Sequence, residues 1–398
     1  MIRKIFQYLF TPFLKNESEI QSLNGIRAVA ILLVIVYHVW LPFEVSSFPN
    51  VLKNVISNFN SGVDLFFTLS GFLIYSGILK YRKNPNEFDK RKFILARSLR
   101  IFPPYYFCLF VLYLFFQGQQ NRLEAVINPN EFQIAEIKNI SESLKSVYAD
   151  IFYVSNYTKY RLSLVGWSLS IEEQFYLILP FFSALFLFRF ETRKRIFILA
   201  IIYFIPLLFR IYYILNHRDI SVLIYSHTRM DSLLIGMILA EIETFQTHSS
   251  AKDSKFVEFV LIIFGAGLLT VGHAFSLEHW FRKTLGYNCF NIGYTILIRL
   301  ALRKENLTAR AFGLDCFRPV ARLSYTMYLW NILIAGFAVS KVFSGARQPA
   351  TGIFILSVLV SILFCFLISW ILYLGIEKPF LLLKEKILLQ KGYDSSKS

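Results

Sequence analysis

Long apolar runs, each closed by a short cluster of charge, recur along the whole chain. Windows wide enough to cross about 30 Å of hydrocarbon as a helix fall near 26–43, 62–80, 101–117, 174–190, 196–215, 222–242, 256–275, 285–302, 323–342 and 352–375. The pattern predicts an all-α fold, a polytopic membrane helix bundle of about ten transmembrane helices. Around it the chain divides into an N-terminal interfacial segment, 1–25, a membrane domain, 26–380, and a tail, 381–398. The connection 118–173 is polar and mixed in charge, and reads as an outer loop able to cap a pocket.

Charge gives the spans an orientation. Lys80, Arg82, Lys83, Lys90, Arg91, Lys92, Arg97 and Arg100 lie between the second and third spans, and Arg299, Arg303, Lys304, Arg310, Arg318 and Arg322 between the eighth and ninth. Arg189, Arg193, Lys194 and Arg195 add to the fourth connection, and the tail is basic as well. With ten spans all of these share one side, which the positive-inside rule makes cytosolic, so both termini are expected in the cytosol. The opening MIRKIFQYLFTPFLKNESE lacks a small-x-small cleavage site and reads as an amphipathic segment on that face.

Composition narrows the class further. Of 398 residues 55% are hydrophobic, and mean hydropathy is +0.50, too apolar for a soluble surface. An integral, multi-pass protein is expected, in the inner membrane if the cell is bacterial, with membrane lipid as its surroundings. The formal charge of +16 is accounted for by orientation, so no nucleic-acid partner is expected. Cys108, Cys289, Cys316 and Cys365 have neither Cys-x-x-Cys spacing nor a nearby histidine cluster, so neither a disulfide framework nor a metal site is indicated. No G-x-S-x-G elbow, Walker sequence or H-E-x-x-H occurs.

Several ionisable residues interrupt the apolar runs. Arg27 and His38 lie eleven positions apart in the first span, which in a helix is about 1,100° of turn, so they share one stripe roughly 16 Å apart. Two such residues on one face suggest a water-filled or protein-lined path. His38 is either a packing residue or a general base, and Asp64 in GVDLFFTLSGF and Glu173 in VGWSLSIEEQFYL are carboxylates at a similar expected depth that could orient it. Trp167 opens that second block. Arg97 and Arg100, i and i+3 on one face ahead of Pro103 and Pro104, either anchor a cytosolic helix end or fork a phosphate; the prolines mark a break or a helix start.

In YSHTRMDSLLIG a continuous sixth span would place Tyr225, Arg229 and Ser232 on one face and His227 with Asp231 on another. Arg229 and Asp231 fit a buried structural ion pair as well as a substrate contact. Ser324, Tyr328 and Asn331 form a stripe that either hydrogen-bonds between helices or lines a pocket. Glu377, Lys378 and Pro379 read as a helix stop.

Taken together, the R-x10-H element at Arg27 and His38, GVDLFFTLSGFLI, the R-x-x-R element at Arg97 and Arg100, WSLSIEEQFYLILP, RMDSLLIG, SYTMYLW and the closing E-x-P resemble the acyltransferase-3 family of integral membrane O-acyltransferases. The resemblance implies a cytosolic acyl-CoA donor, acetyl-CoA above others, and a glycan or other hydroxyl acceptor at or across the membrane. It makes His38 the catalytic residue, with Asp64 and Glu173 at motif positions beside it, and gives donor binding to Arg27, Arg97 and Arg100. Trp167, Arg229, Tyr328 and Asn331 are expected around the substrates. Asn24 stands where an aspartate is common and Asn331 where many members have histidine, which leaves His38 as the main base. No esterase-like domain follows the tenth span, so product release is expected of the membrane unit itself. The rival classes are a transporter or flippase, against which no paired broken helices stand in matching halves, and a purely structural scaffold.

Overall fold

The computed structural model describes residues 2–16, 19–42, 48–218, 222, 224–247, 255–303, 306–343 and 351–394. Regular structure among them is helical throughout. Ten long helices follow the ten apolar windows, here α1 Gln21–Trp40, α2 Gly62–Leu79, α3 Lys90–Glu124, α4 Gly166–Leu185, α5 Thr192–Leu215, α6 Asp231–Thr247, α7 Lys255–Ala274, α8 Leu285–Leu302, α9 Phe317–Phe343 and α10 Thr351–Leu372.

Among the described residues eight stretches are long and apolar enough to cross a bilayer. The two that fall short are α6, which spans 17 residues, and α8, whose apolar run is interrupted by Asn288, Asn291 and Arg299. Both are lined by protein. All but one of residues 231–240 are buried, so α6 has little surface that must match lipid. By contrast only 11% of the apolar window of α7 and 22% of that of α5 is covered by protein, against 72% for the stretch containing α2. Helices with bare apolar flanks face hydrocarbon; covered ones carry the polar residues.

The chain forms two compact units. The first comprises Met1–Phe88, Phe182–Leu223 and His227–Ile371. In it α6 packs on α2 and α5, α9 on α1, and α7 on α8. The close approach of α2 and α6 rests on glycine, because a Cβ at Gly71 would strike the backbone of Leu233 and one at Gly236 the backbone of Thr68. The expected interfacial segment is a helix, Ile2–Leu9, that continues onto α10: Trp370 Nε1 donates to the Leu9 carbonyl at 2.9 Å, and Phe10 and Phe13 pack on the Trp370 ring.

The second unit comprises Asp89–Phe181, Ile224–Ser226 and Leu372–Ser398. Its axis is α3, a 35-residue helix that begins at Lys90 and runs through Pro103 and Pro104. The expected break at the prolines does not occur. A proline costs a helix one N–H bond and crowds the preceding turn, and here the helix absorbs both. The expected loop 118–173 is largely helical too: α3 continues to Glu124 and Glu131–Lys145 forms a helix closed by a capping box between Asn130 and Gln133. The expected stop at Glu377 is instead a π-helical turn, Tyr373–Glu377, leading straight into a last helix, Lys378–Asp394, with Pro379 tolerated in its first turn.

Candidate functional site

In the first unit His38 sits in the last turn of α1. Its ring lies against the carbonyl of Val34, one turn earlier, and the side chain of Asn331 from α9. Nδ1 of His38 and Oδ1 of Asn331 are both buried without a full hydrogen bond. Asn331 is fixed through its other end, Nδ2 donating to the Tyr328 carbonyl at 2.5 Å. Tyr328 is buried and meets Phe66 edge-on at 6.0 Å. Two of the three residues of the α9 stripe thus meet groups outside their own helix, and the neighbour of the imidazole is an amide. Arg27 is half-buried on the same helix as His38.

Asp64, offered by the sequence as a carboxylate for His38, is engaged elsewhere. Its Oδ1 accepts from Arg229 Nη2 at 2.7 Å and from Ser232 Oγ at 2.9 Å, while Oδ2 is buried without a partner among the described residues. Arg229 and Ser232 converge although they do not share a helix. The expected continuous sixth span is broken: Ser226–Arg229 is a short helix, Met230 is a turn, and α6 starts at Asp231. The turn also dissolves the expected His227–Asp231 pairing. His227 Nε2 meets the Tyr213 hydroxyl at 2.9 Å, and Asp231 pairs with Arg210 at 2.7 Å.

Sequence reasoning passed over the residues behind these pairs. Arg210 of α5 is fully buried and reaches the Thr228 carbonyl, Asp231 and Asn288 Oδ1 at 2.7, 2.7 and 2.8 Å. Ser232 also bonds Asn291 at 2.7 Å. The signal was available, since an arginine and two asparagines inside apolar windows are as conspicuous as His38. Elsewhere in the same unit, Arg195, Glu241 and Tyr75 make a second buried network, with contacts of 2.6 and 2.8 Å from Arg195 to Glu241 and 2.6 Å from the Tyr75 hydroxyl.

In the second unit Arg97 and Arg100 lie inside α3. The Arg97 guanidinium stands over the rings of Phe93 and Tyr176 at 5.7 and 5.8 Å, and its charged neighbours are Arg100, Glu172 and Glu173. Tyr176 donates to Glu172 at 2.9 Å. Among the described residues neither the buried Oε1 of Glu173 nor the buried hydroxyl of Tyr153 has a hydrogen-bond partner. Tyr153 stacks on Tyr105 at 4.7 Å and holds φ at 53°, a left-handed conformation that a bulky residue adopts at a cost. Trp167 is half-buried in the first turn of α4.

The segment before α4 is pinned to it by polar contacts. Gln174 Nε2 donates to the Tyr153 carbonyl at 2.8 Å and to Asn156 at 3.0 Å, and Asp150 Oδ2 accepts from the backbone of Leu162 and Ser163 at 2.8 and 3.3 Å. Burial pushes the Asp150 carboxyl above its ordinary range, against the pull of those backbone donors.

The comparisons fit this architecture. A family model described as an acyltransferase domain matches residues 20–374. The chain belongs to the acyltransferase-3 family. Among relatives of this family, O-acetyltransferase OatA of Staphylococcus aureus (strain NCTC 8325 / PS 47) is 27% identical over 376 residues, covering 90% of this chain and 56% of its own length. A putative O-acetyltransferase of Staphylococcus aureus strain COL is 26% identical over 390 residues, 93% of this chain and 58% of that one. The chain spans little more than half the length of these curated relatives. No solved structure matches. Every motif quoted from the sequence up to SYTMYLW falls inside the matched acyltransferase-3 region, and the closing E-x-P lies just past its end.

Proposed function

We propose that this chain is a membrane O-acyltransferase that moves an acetyl or other short acyl group from cytosolic acyl-CoA to a hydroxyl of a glycan or similar acceptor at or across the membrane. The observation that carries the reading is His38, an imidazole set in an apolar helix, eleven residues after Arg27 and beside Asn331. Asn331 Oδ1 accepts the Nδ1 proton once the pair tightens, which fixes the tautomer and leaves Nε2 unprotonated. Nε2 takes the proton of the acceptor hydroxyl, the oxygen attacks the thioester carbonyl, the C–S bond breaks, and the thiolate of CoA leaves and is protonated. In the two-step alternative Nε2 attacks the thioester carbonyl, the C–S bond breaks and the CoA thiolate leaves and is protonated; the acceptor oxygen then attacks the acyl-imidazole, its proton is lost, the C–N bond breaks and the imidazole is restored.

Arg27, Arg97 and Arg100 suit the phosphates of the donor, since guanidinium groups fork phosphate oxygens. Stacking of Arg97 on Phe93 and Tyr176 pre-organises its fork. Glu173, Trp167, Arg229 and Tyr328 belong to the substrate surroundings, with Asp64 acting through Arg229. The names of the relatives support acetyl as the group and oxygen as its acceptor.

The test is transfer by the purified full chain from labelled acetyl-CoA to a panel of glycans, with His38→Ala as the control. Label should reach an acceptor with the native chain and not with His38→Ala, while both run as the same folded species in detergent. Substantial transfer by His38→Ala would overturn the assignment of the base. No transfer to any acceptor, together with acceptor movement across vesicles, would favour a transporter.

A further inference from the structure

Tyr287 is the meeting point of three guanidinium groups in the first unit. Arg229, Arg282 and Arg210 stand over its ring at 4.3, 4.4 and 5.2 Å. Arg210 is neutralised by Asp231 and Arg229 by Asp64. Arg282, 1% exposed, has no such partner among the described residues. Its Nε and Nη2 donate to the side-chain oxygens of Asn58 and Asn60, both neutral, the second at 3.0 Å, and its plane lies on Tyr287 and on Phe290 at 4.8 Å. Among the described residues the cluster therefore holds three cations and two carboxylates, and one buried positive charge is left over. Beside it the Tyr287 hydroxyl is buried and bonded to nothing among the described residues.

A guanidinium removed from water is costly unless an anion faces it, and the orphaned hydroxyl in the same place could be satisfied by donating to that same anion. Rings and amides offset part of the charge but supply no negative one. The site borders the chemistry. The side chain of Tyr37 is close enough to Tyr287 and Arg282 to feel both, and its ring centroid is 5.2 Å from that of His38. Arg282 itself comes from the short helix Trp280–Lys283, just ahead of α8 and outside every motif that marks the family in this sequence.

We propose that Arg282 and Tyr287 form an anion site that receives a carboxylate or phosphate group carried by the acceptor, and so select an acidic acceptor for transfer at His38. The inference rests on the acyltransferase reading for its purpose, yet the binding itself can be measured without turnover. The purified full chain in phosphatidylcholine nanodiscs is titrated with glucuronic acid, glucose 6-phosphate and glucose while its Tm is followed. The two acids should raise Tm in a saturable way, and glucose should not. Arg282→Gln should abolish the shift, Arg282→Lys should keep part of it, and Tyr287→Phe should weaken it several-fold.

A second arm replaces half the lipid with phosphatidylglycerol and omits the sugars. An Arg282-dependent rise in Tm there would assign the site to a lipid headgroup and overturn the acceptor. With acetyl-CoA present, Arg282→Gln should raise KM for an acidic acceptor at least tenfold and erase its advantage over the neutral analogue. Equal Tm responses of the native chain to glucuronic acid and glucose would sink the proposal, as would equal losses of kcat on both acceptors. Where Arg282→Gln fails to fold, Tyr287→Phe decides, because it removes only the orphaned hydroxyl; unaltered binding of the acids would overturn the site. Loss of transfer with the acid-specific Tm shift intact would instead count against the acyltransferase reading.

Discussion

Asp64 and Arg229 meet at 2.7 Å with 1% and 4% of their side chains exposed. In such surroundings the pair is worth little over an apolar replacement, but either charge alone is expensive. Asp64→Ala or Arg229→Ala is therefore expected to cost about 3–5 kcal/mol, read as a lower Tm in detergent. The double variant should lose less than the sum of the two, since it leaves neither charge stranded. Additive losses would show that the pair does not act as one. The residues themselves were legible, because an ionisable group in an apolar window announces itself. Their partners were not. Periodicity assumes an unbroken helix, and the turn at Met230 lets Arg229 and Ser232 reach one carboxylate oxygen from different helices. For the same reason the amide beside His38 could be named as a pocket residue from its stripe but not as the imidazole's neighbour.

Helices α2 and α6 show what decides an element's packing. Gly71 lies where any Cβ would enter the Leu233 backbone, whereas Gly77, further on in the same helix, has nothing within contact distance. Gly71→Ala must push the helices apart and should destabilise by about 1–3 kcal/mol. Gly77→Ala meets open space and should gain up to about 0.5–1 kcal/mol by lowering the entropy of the unfolded chain. Thermal unfolding of the two variants side by side checks both; equal effects would refute the close approach. The existence of the ten long helices was readable because lipid imposes a length and a polarity on whatever crosses it. Their ends were not, because hydropathy stops at the membrane surface while helix does not. α3 starts at Lys90 and the connection between α3 and α4 is largely helical, since polar residues such as Asn130 and Gln133 cap helices as readily as they fill loops.

At the scale of the molecule, orientation is the property on which the side of the proposed donor depends, and its expectation rests on charge alone. Basic residues crowd the connections expected in the cytosol, and the connection before α9 contains the reporter needed to test this. Cys316 is exposed there, while Cys108 and Cys365 are buried and Cys289 is half-buried within α8. An impermeant maleimide should leave Cys316 unlabelled in intact cells and label it once the membrane is permeabilised. In a Cys316→Ser background, Ala135→Cys, exposed on the helix Glu131–Lys145, should label from outside without permeabilisation. Both results together require an odd number of crossings between residues 135 and 316, with Cys316 on the inner side. Labelling of Cys316 in intact cells would turn the protein over, put Arg97 and Arg100 on the outer face, and take from them any part in holding a cytosolic thioester.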